Sequence, residues 1–137
     1  LLPDSPLYAL RIVRDRIVSF FISDPLKKAE FDLLQADKRL NAGIYLFNEK
    51  KINLAISTIS KAENYFEQAI GKAKEARQEG MDIQRITNKL LDSAKKHQEE
   101  LDFLEKRSPQ NFKANFKFQE KRSADFEKEA QSLILKR

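Results

Sequence analysis

Phe20-Phe21-Ile22-Ser23-Asp24-Pro25-Leu26-Lys27-Lys28-Ala29-Glu30 decides how this chain folds. A residue that precedes proline avoids the helical region, so a helix arriving through Phe20 and Phe21 ends near Ser23. Asp24 can accept an orphan backbone N–H as a cap, and Pro25 at the first helical position gives up a donor that had no partner. The Asp24 carboxylate also sits at the positive end of the new helix dipole. The stretch is therefore a corner between two helices.

Upstream, Leu2-Pro3-Asp4-Ser5-Pro6-Leu7-Tyr8 repeats the device, with Ser5 as cap and Pro6 at the first position. Leu7, Leu10, Val13 or Arg14, Ile17 and Phe21 follow at helical spacing. Downstream, Leu26, Ala29, Leu33, Ala36, Leu40, Gly43 and Phe47 alternate steps of three and four, with Ala36 and Gly43 small enough for a neighbouring helix to come close. After the polar Asn48–Lys51 connection, a third helix is expected from about Ile52 to Glu79. Its seam is Ile52, Ala55/Ile56, Ile59, Ala62, Phe66, Ala69/Ile70, Ala73 and Ala76, and Gly80 stops it as a left-handed residue. A fourth helix, capped by Asp82, carries Ile83, Ile86, Leu90, Ala94, His97, Leu101 and Leu104. Ser108-Pro109 opens a fifth, with Phe112, Phe116, Gln119, Ser123, Phe126, Ala130 and Leu133 on its seam.

Such seams, joined by short connections, predict an all-α, up-and-down, coiled-coil-like bundle of about five helices. One helix is short and four are long, with mostly antiparallel neighbours. With 137 residues the chain is expected to form a single domain over 1–137, its last part, 109–137, either packing in the bundle or projecting from it. Gly and Pro are scarce, apolar residues make up 41% and charged residues 34%, which suits helices better than sheets.

The absence of cysteine excludes disulfides, thiolate metal sites and thiol catalysis. No apolar run reaches the roughly 20 residues of a membrane span. The chain starts Leu1-Leu2 without Met, which reads as a fragment or processed product whose leader or anchor would lie upstream. The only histidine is His97, with Ser93 one turn before it and Asp92 beside Ser93. Nucleophilic catalysis also needs an orienting carboxylate and oxyanion donors, and a lone seam histidine reads as a packing residue. Ala94 stands where a di-iron bundle needs Glu three residues before His. Glu99, Glu100, Asp102 and Glu105 read as a solvated face. On this inventory no catalysis, cofactor, metal or small-molecule substrate is expected.

The net charge of +5 is uneven. Lys106, Arg107, Lys113, Lys117, Lys121 and Arg122 fall in one window whose single acid is Glu120. Lys113, Lys117 and Lys121, four apart, line one helical stripe near Phe112, Phe116 and Phe118. Basic residues with aromatics can hold nucleic acid, anionic lipid or another anionic polymer. These six residues are the candidate anion-binding surface, although Phe112 and Phe116 lie on the seam and only Phe118 falls off it.

The opening resembles an uncharacterised bacterial family of exported helical domains, with the signatures L-P-x-x-x-L-Y-x-L-K, F-x-x-D-P-x-x-K-A-E and L-x-x-A-x-x-R-L. Here they read Leu2 to Arg11, Phe21 to Glu30 and Leu33 to Leu40, with Arg11 in place of the lysine. The likeness covers the first two helices and fades after about Phe47. It implies an extracytoplasmic, exported or membrane-anchored domain of unknown role, and carries no catalytic residue across. The functional expectation is a non-catalytic structural or protein-interaction domain with a protein partner or self-association. The alternative is a binder of nucleic acid or another anionic polymer, or of a membrane surface, through the last helix.

Overall fold

The computed structural model describes residues 9–15 and 24–135. Residues 9–15 are helical (α1). Four long helices follow: α2 (Pro25–Asn48), α3 (Ile52–Gln78), α4 (Gln84–Arg107) and α5 (Lys113–Leu135). A single 3₁₀ turn, Gln110–Phe112, leads into α5. The Ser5-Pro6 start, Tyr8 and the end of the first helix at Ser23 lie outside the described residues.

Local chemistry accounts for the boundaries. Asp24 Oδ1 accepts from the backbone N–H of Leu26 at 2.8 Å, and Pro25 opens α2. The expected Asp82 cap is corrected: Ile83 is the N-cap of α4, and Asp82, one residue earlier, accepts from the Gln84 N–H through Oδ1 at 2.9 Å. Gly80 ends the α3 region at φ 82°, where a side chain would be strained. Lys50, in the α2–α3 turn, takes φ 65°. The expected start at Ser108-Pro109 is corrected: Ser108 is the extended C-cap of α4, and α5 begins only at Lys113. Pro109 opens the 3₁₀ turn instead, its carbonyl accepting the Phe112 N–H at 2.9 Å.

Consecutive long helices are antiparallel. The α2/α3 and α4/α5 hairpins then lie side by side, so α3 runs parallel to α5 and α2 parallel to α4. The order of the cross-links shows this: Glu63 meets Ser123, Phe66 stacks on Phe126 and Lys74 reaches Glu129, both chains ascending together. Around the bundle the order is α2, α3, α5, α4. α5 packs within the bundle through Phe116, Phe126, Ala130 and Leu133, all buried.

The core has two apolar halves. One is built around Phe66, Ile70, Ile86, Leu90 and Phe126, the other around Leu40, Leu46, Ile59, Leu101 and Phe116. The seams expected for α2 to α5 are the buried positions almost throughout; Leu26, Ile52, Ile56 and Phe112 are half-buried. α1 is different. Leu10 and Val13 are exposed, at 68% and 55%, whereas Asp15 is buried. Polar chemistry overrides the apolar spacing: Asp15 Oδ2 lies 3.6 Å from the buried Arg39 guanidinium, which stacks over the Tyr65 ring and donates to Gln35. A buried guanidinium left without its carboxylate would cost more than two exposed aliphatic side chains.

Candidate functional site

A charged layer separates the two apolar halves, and each long helix supplies part of it. His97 of α4 and Glu63 of α3 are fully buried. His97 Nδ1–H donates to Glu63 Oε2 at 2.7 Å, and Nε2–H donates to Asp37 Oδ1 of α2 at 2.9 Å. Ser123 of α5 donates to the other Glu63 oxygen, Oε1, at 2.6 Å. Ser93 donates to Asp37 Oδ1. The imidazole edge also meets Phe66, whose ring stacks on Phe126 with centroids 5.1 Å apart.

Burial, the strongest single influence on His97, opposes its charge. The hydrogen bonds to Asp37 and Glu63 and the charges of both carboxylates together outweigh it, lifting the pKa from 6.5 to about 9. At neutral pH the ring is an imidazolium with both N–H groups donated. It has no free nitrogen to act as a base, and Ser93 donates to Asp37 instead of His97. Ser93 and His97 are therefore parallel ligands of one carboxylate, not a nucleophile and its base. Asp92 points to solvent.

The layer has a geometric consequence. A one-turn slide of α4 would carry His97 away from both carboxylates and leave Glu63 charged in an apolar core. Such a polar position in a helical seam fixes register and orientation at some cost in stability.

Above the layer, between α2 and α4, lies a groove of about 320 Å³. Leu33, Leu40 and His97 line its depth, and Asn41, Lys89, Asp92 and Lys96 its sides. α2 and α4 touch each other far less closely than the helices within either hairpin.

The six predicted basic residues have diverse surroundings. Lys113 Nζ donates to the Glu105 and Lys106 carbonyls, at 2.8 and 3.1 Å, and so closes the C-terminus of α4. Arg122 turns the other way, to Asn64 at 2.9 Å and Glu67 at 3.4 Å of α3. Lys106 pairs with Asp102 at 2.8 Å, and Arg107 stacks over Phe103. Lys117, Lys121 and Phe118 are exposed on α5. Among the described residues no cluster of three or more His, Asp or Glu side chains could hold a metal ion, and no helix is long and apolar enough to cross a membrane.

Glu63, Asp37 and Ser123 were not singled out as site residues by their sequence. The available signal was position: Glu63 falls four after Ile59 and three before Phe66, on the apolar face of its helix. A carboxylate there needs a buried partner, and His97 is the only histidine to supply one.

The fold and its centre define an all-α bundle domain locked by a carboxylate–imidazolium–carboxylate bridge that runs from buried Glu63 through His97 to half-exposed Asp37. The chain belongs to the family described as Domain of unknown function (DUF5667), whose model matches residues 1–111. The match runs well past Phe47, through α2, α3 and α4, and stops short of α5. Comparisons with curated proteins and with solved structures gave no match.

Proposed function

We propose that this chain is a non-catalytic protein-interaction domain that works outside the cytoplasm. One observation carries the non-catalytic part: the only histidine is consumed at both nitrogens, by the buried Glu63 and the half-exposed Asp37, and serves the helix packing. The charged layer gives a rigid, single-register platform, and rigid helical faces suit partner binding better than turnover. The extracytoplasmic part rests on the likeness of the opening signatures to exported domains. The anionic-polymer alternative retains Lys117 and Lys121 beside exposed Phe118, whereas Lys113 and Arg122 are engaged with α4 and α3.

Two measurements test the proposal. Alkaline phosphatase fused to the full-length gene product is active only outside the cytoplasm; activity is expected, and an inactive fusion with an active cytoplasmic reporter overturns the location. Hydrolysis of a panel of ester, phosphate and peptide substrates is expected to be nil for the wild-type chain. Turnover that disappears in His97→Gln, while the variant remains folded, overturns the non-catalytic reading.

A further inference from the structure

We propose that the groove between α2 and α4 is a docking site for an acidic amphipathic helix of a partner protein. This inference rests on the interaction reading above and names the surface and the partner's chemistry. Two exposed stripes flank the groove. On α2, Leu34, Lys38, Asn41 and Tyr45 follow at steps of four, three and four, and all are exposed. On α4, Arg85, Lys89, Asp92, Lys96, Glu99, Phe103 and Arg107 keep helical spacing, and all are exposed. The helices run parallel, and Asp37 meets Ser93 and His97 at sequence offsets of 56 and 60. Tyr45 is therefore level with the region of Phe103, and Lys38 with that of Lys96.

The charge on these stripes is net positive. Lys38, Arg85, Lys89, Lys96 and Arg107 outnumber the stripes' acids, Asp92 and Glu99. The carboxylate deeper in the groove, Asp37, already accepts from His97 and Ser93. Glu30, one turn before Leu34, Glu100, half-buried on α4, and Glu49, beside Tyr45, are the other acids near this side. Among the described residues, none of Lys38, Arg85, Lys89 and Lys96 is held in an ion pair.

The groove also offers apolar anchorage. Leu33 and Leu40 form its depth, while Leu34, Tyr45 and Phe103, at 49%, 46% and 54% exposure, stand on the stripes to either side. Parallel helices with a gap between them present two ridges and a valley, into which a third helix fits with apolar residues at i, i+3/i+4 and i+7. From Leu34 to Tyr45 the α2 stripe runs about 17 Å, three helical turns. Acidic residues flanking the apolar stripe of the incoming helix would then meet Lys38 on one side and Lys89 and Lys96 on the other. A bilayer would not enter a concave valley. A nucleic-acid strand would need aromatics interleaved with cations, whereas here Tyr45 and Phe103 sit at one end and the lysines at the other.

The test uses the full chain and a display library of 14-residue amphipathic helices with randomised flanks. Enriched peptides are expected to carry acidic flanks, to weaken with salt, and to lose at least tenfold in affinity, by fluorescence anisotropy, against the Lys89→Glu/Lys96→Glu variant. Both lysines are exposed, so the variant should keep its helicity and Tm. Enriched peptides that are basic, or that bind this variant equally well, overturn the groove while leaving an interaction domain with another surface. Enrichment of no helix at all also overturns it, whereas the reporter-fusion and turnover tests continue to judge the broader reading by themselves. Phosphatidylglycerol vesicles or a 12-nucleotide single strand that bind in a Lys89- and Lys96-dependent way, with no peptide binding, replace the proposal with another class of partner.

Discussion

Raising the pH should unlock the bundle from its centre. The folded pKa of His97, about 9, lies above the unfolded value of 6.5. A raised histidine pKa contributes stability that is fully present below 6.5 and is lost as the pH climbs through 9. At about 1.4 kcal/mol per unit, the difference is about 3 kcal/mol. For a domain of this size it lowers Tm by on the order of 10 °C. The window lies below the titration of tyrosine and lysine, so little else changes there. Urea unfolding at pH 6.5, 7.5, 8.5 and 9.5 measures the loss. Because the chain has a single histidine, its ring resonances in an NMR titration are unambiguous and give the folded pKa directly. His97→Gln should be less stable at pH 6.5 and nearly flat across the window. A ring that titrates below pH 7 in the folded protein, or wild-type stability that matches the flat profile of the variant, refutes the charged layer.

Two glycines should respond in opposite ways to the same substitution. In Gly43→Ala the new Cβ would fall 2.5 Å from Ile59 Cγ1 in the core, so stability drops by about 1–2 kcal/mol despite the helix propensity gained; Gly71→Ala meets nothing within 4 Å and should gain about 0.5–1 kcal/mol, both by urea unfolding. Asp32 is buried with both carboxylate oxygens unpartnered, and burial, partly offset by Lys28 and Lys72, raises its pKa to about 6. Its charge therefore lowers stability as pH rises from 3.8 through 6, so Asp32→Asn should add up to about 3 kcal/mol at pH 7.5, with the gain fading toward pH 4. Lys113→Met should cost about 1 kcal/mol by freeing two α4 carbonyls, whereas Lys117→Met should leave Tm unchanged in a thermal melt.

Apolar spacing and end signals made most of the fold legible. Seams such as Ala29-Leu33-Ala36-Leu40 and Ile86-Leu90-Ala94-His97 repeat over several turns, and each repeat reinforces the same helical period. Asp24 and Gly80 marked their boundaries because capping needs only neighbouring residues, and Asp82 stands one residue before the cap of α4. The failures share a cause. Leu10 and Val13 kept helical spacing yet lost the inward face to Asp15, whose partner Arg39 is distant in sequence. The start at Ser108-Pro109 failed because a 3₁₀ turn intervenes, a choice set by how α5 meets α4. The site was hardest to see, since Asp37, Glu63, His97 and Ser123 come from four helices and no local spacing joins them. The basic window shows the converse: neighbours in sequence, Lys113 and Arg122, turn to different helices once folded.

The span shared with the family stops at residue 111, before α5 begins. Yet α5 provides the hydroxyl on Glu63 and the ring beneath Phe66. The matched span thus covers three sides of a square, and α5 supplies the fourth. In this chain that side brings one hydrogen-bond donor at mid-height and a flat apolar surface one turn further on. A fragment ended at residue 111 would leave Glu63 Oε1 without its hydroxyl and Phe66 with one bare face, an unfinished bundle missing its last wall.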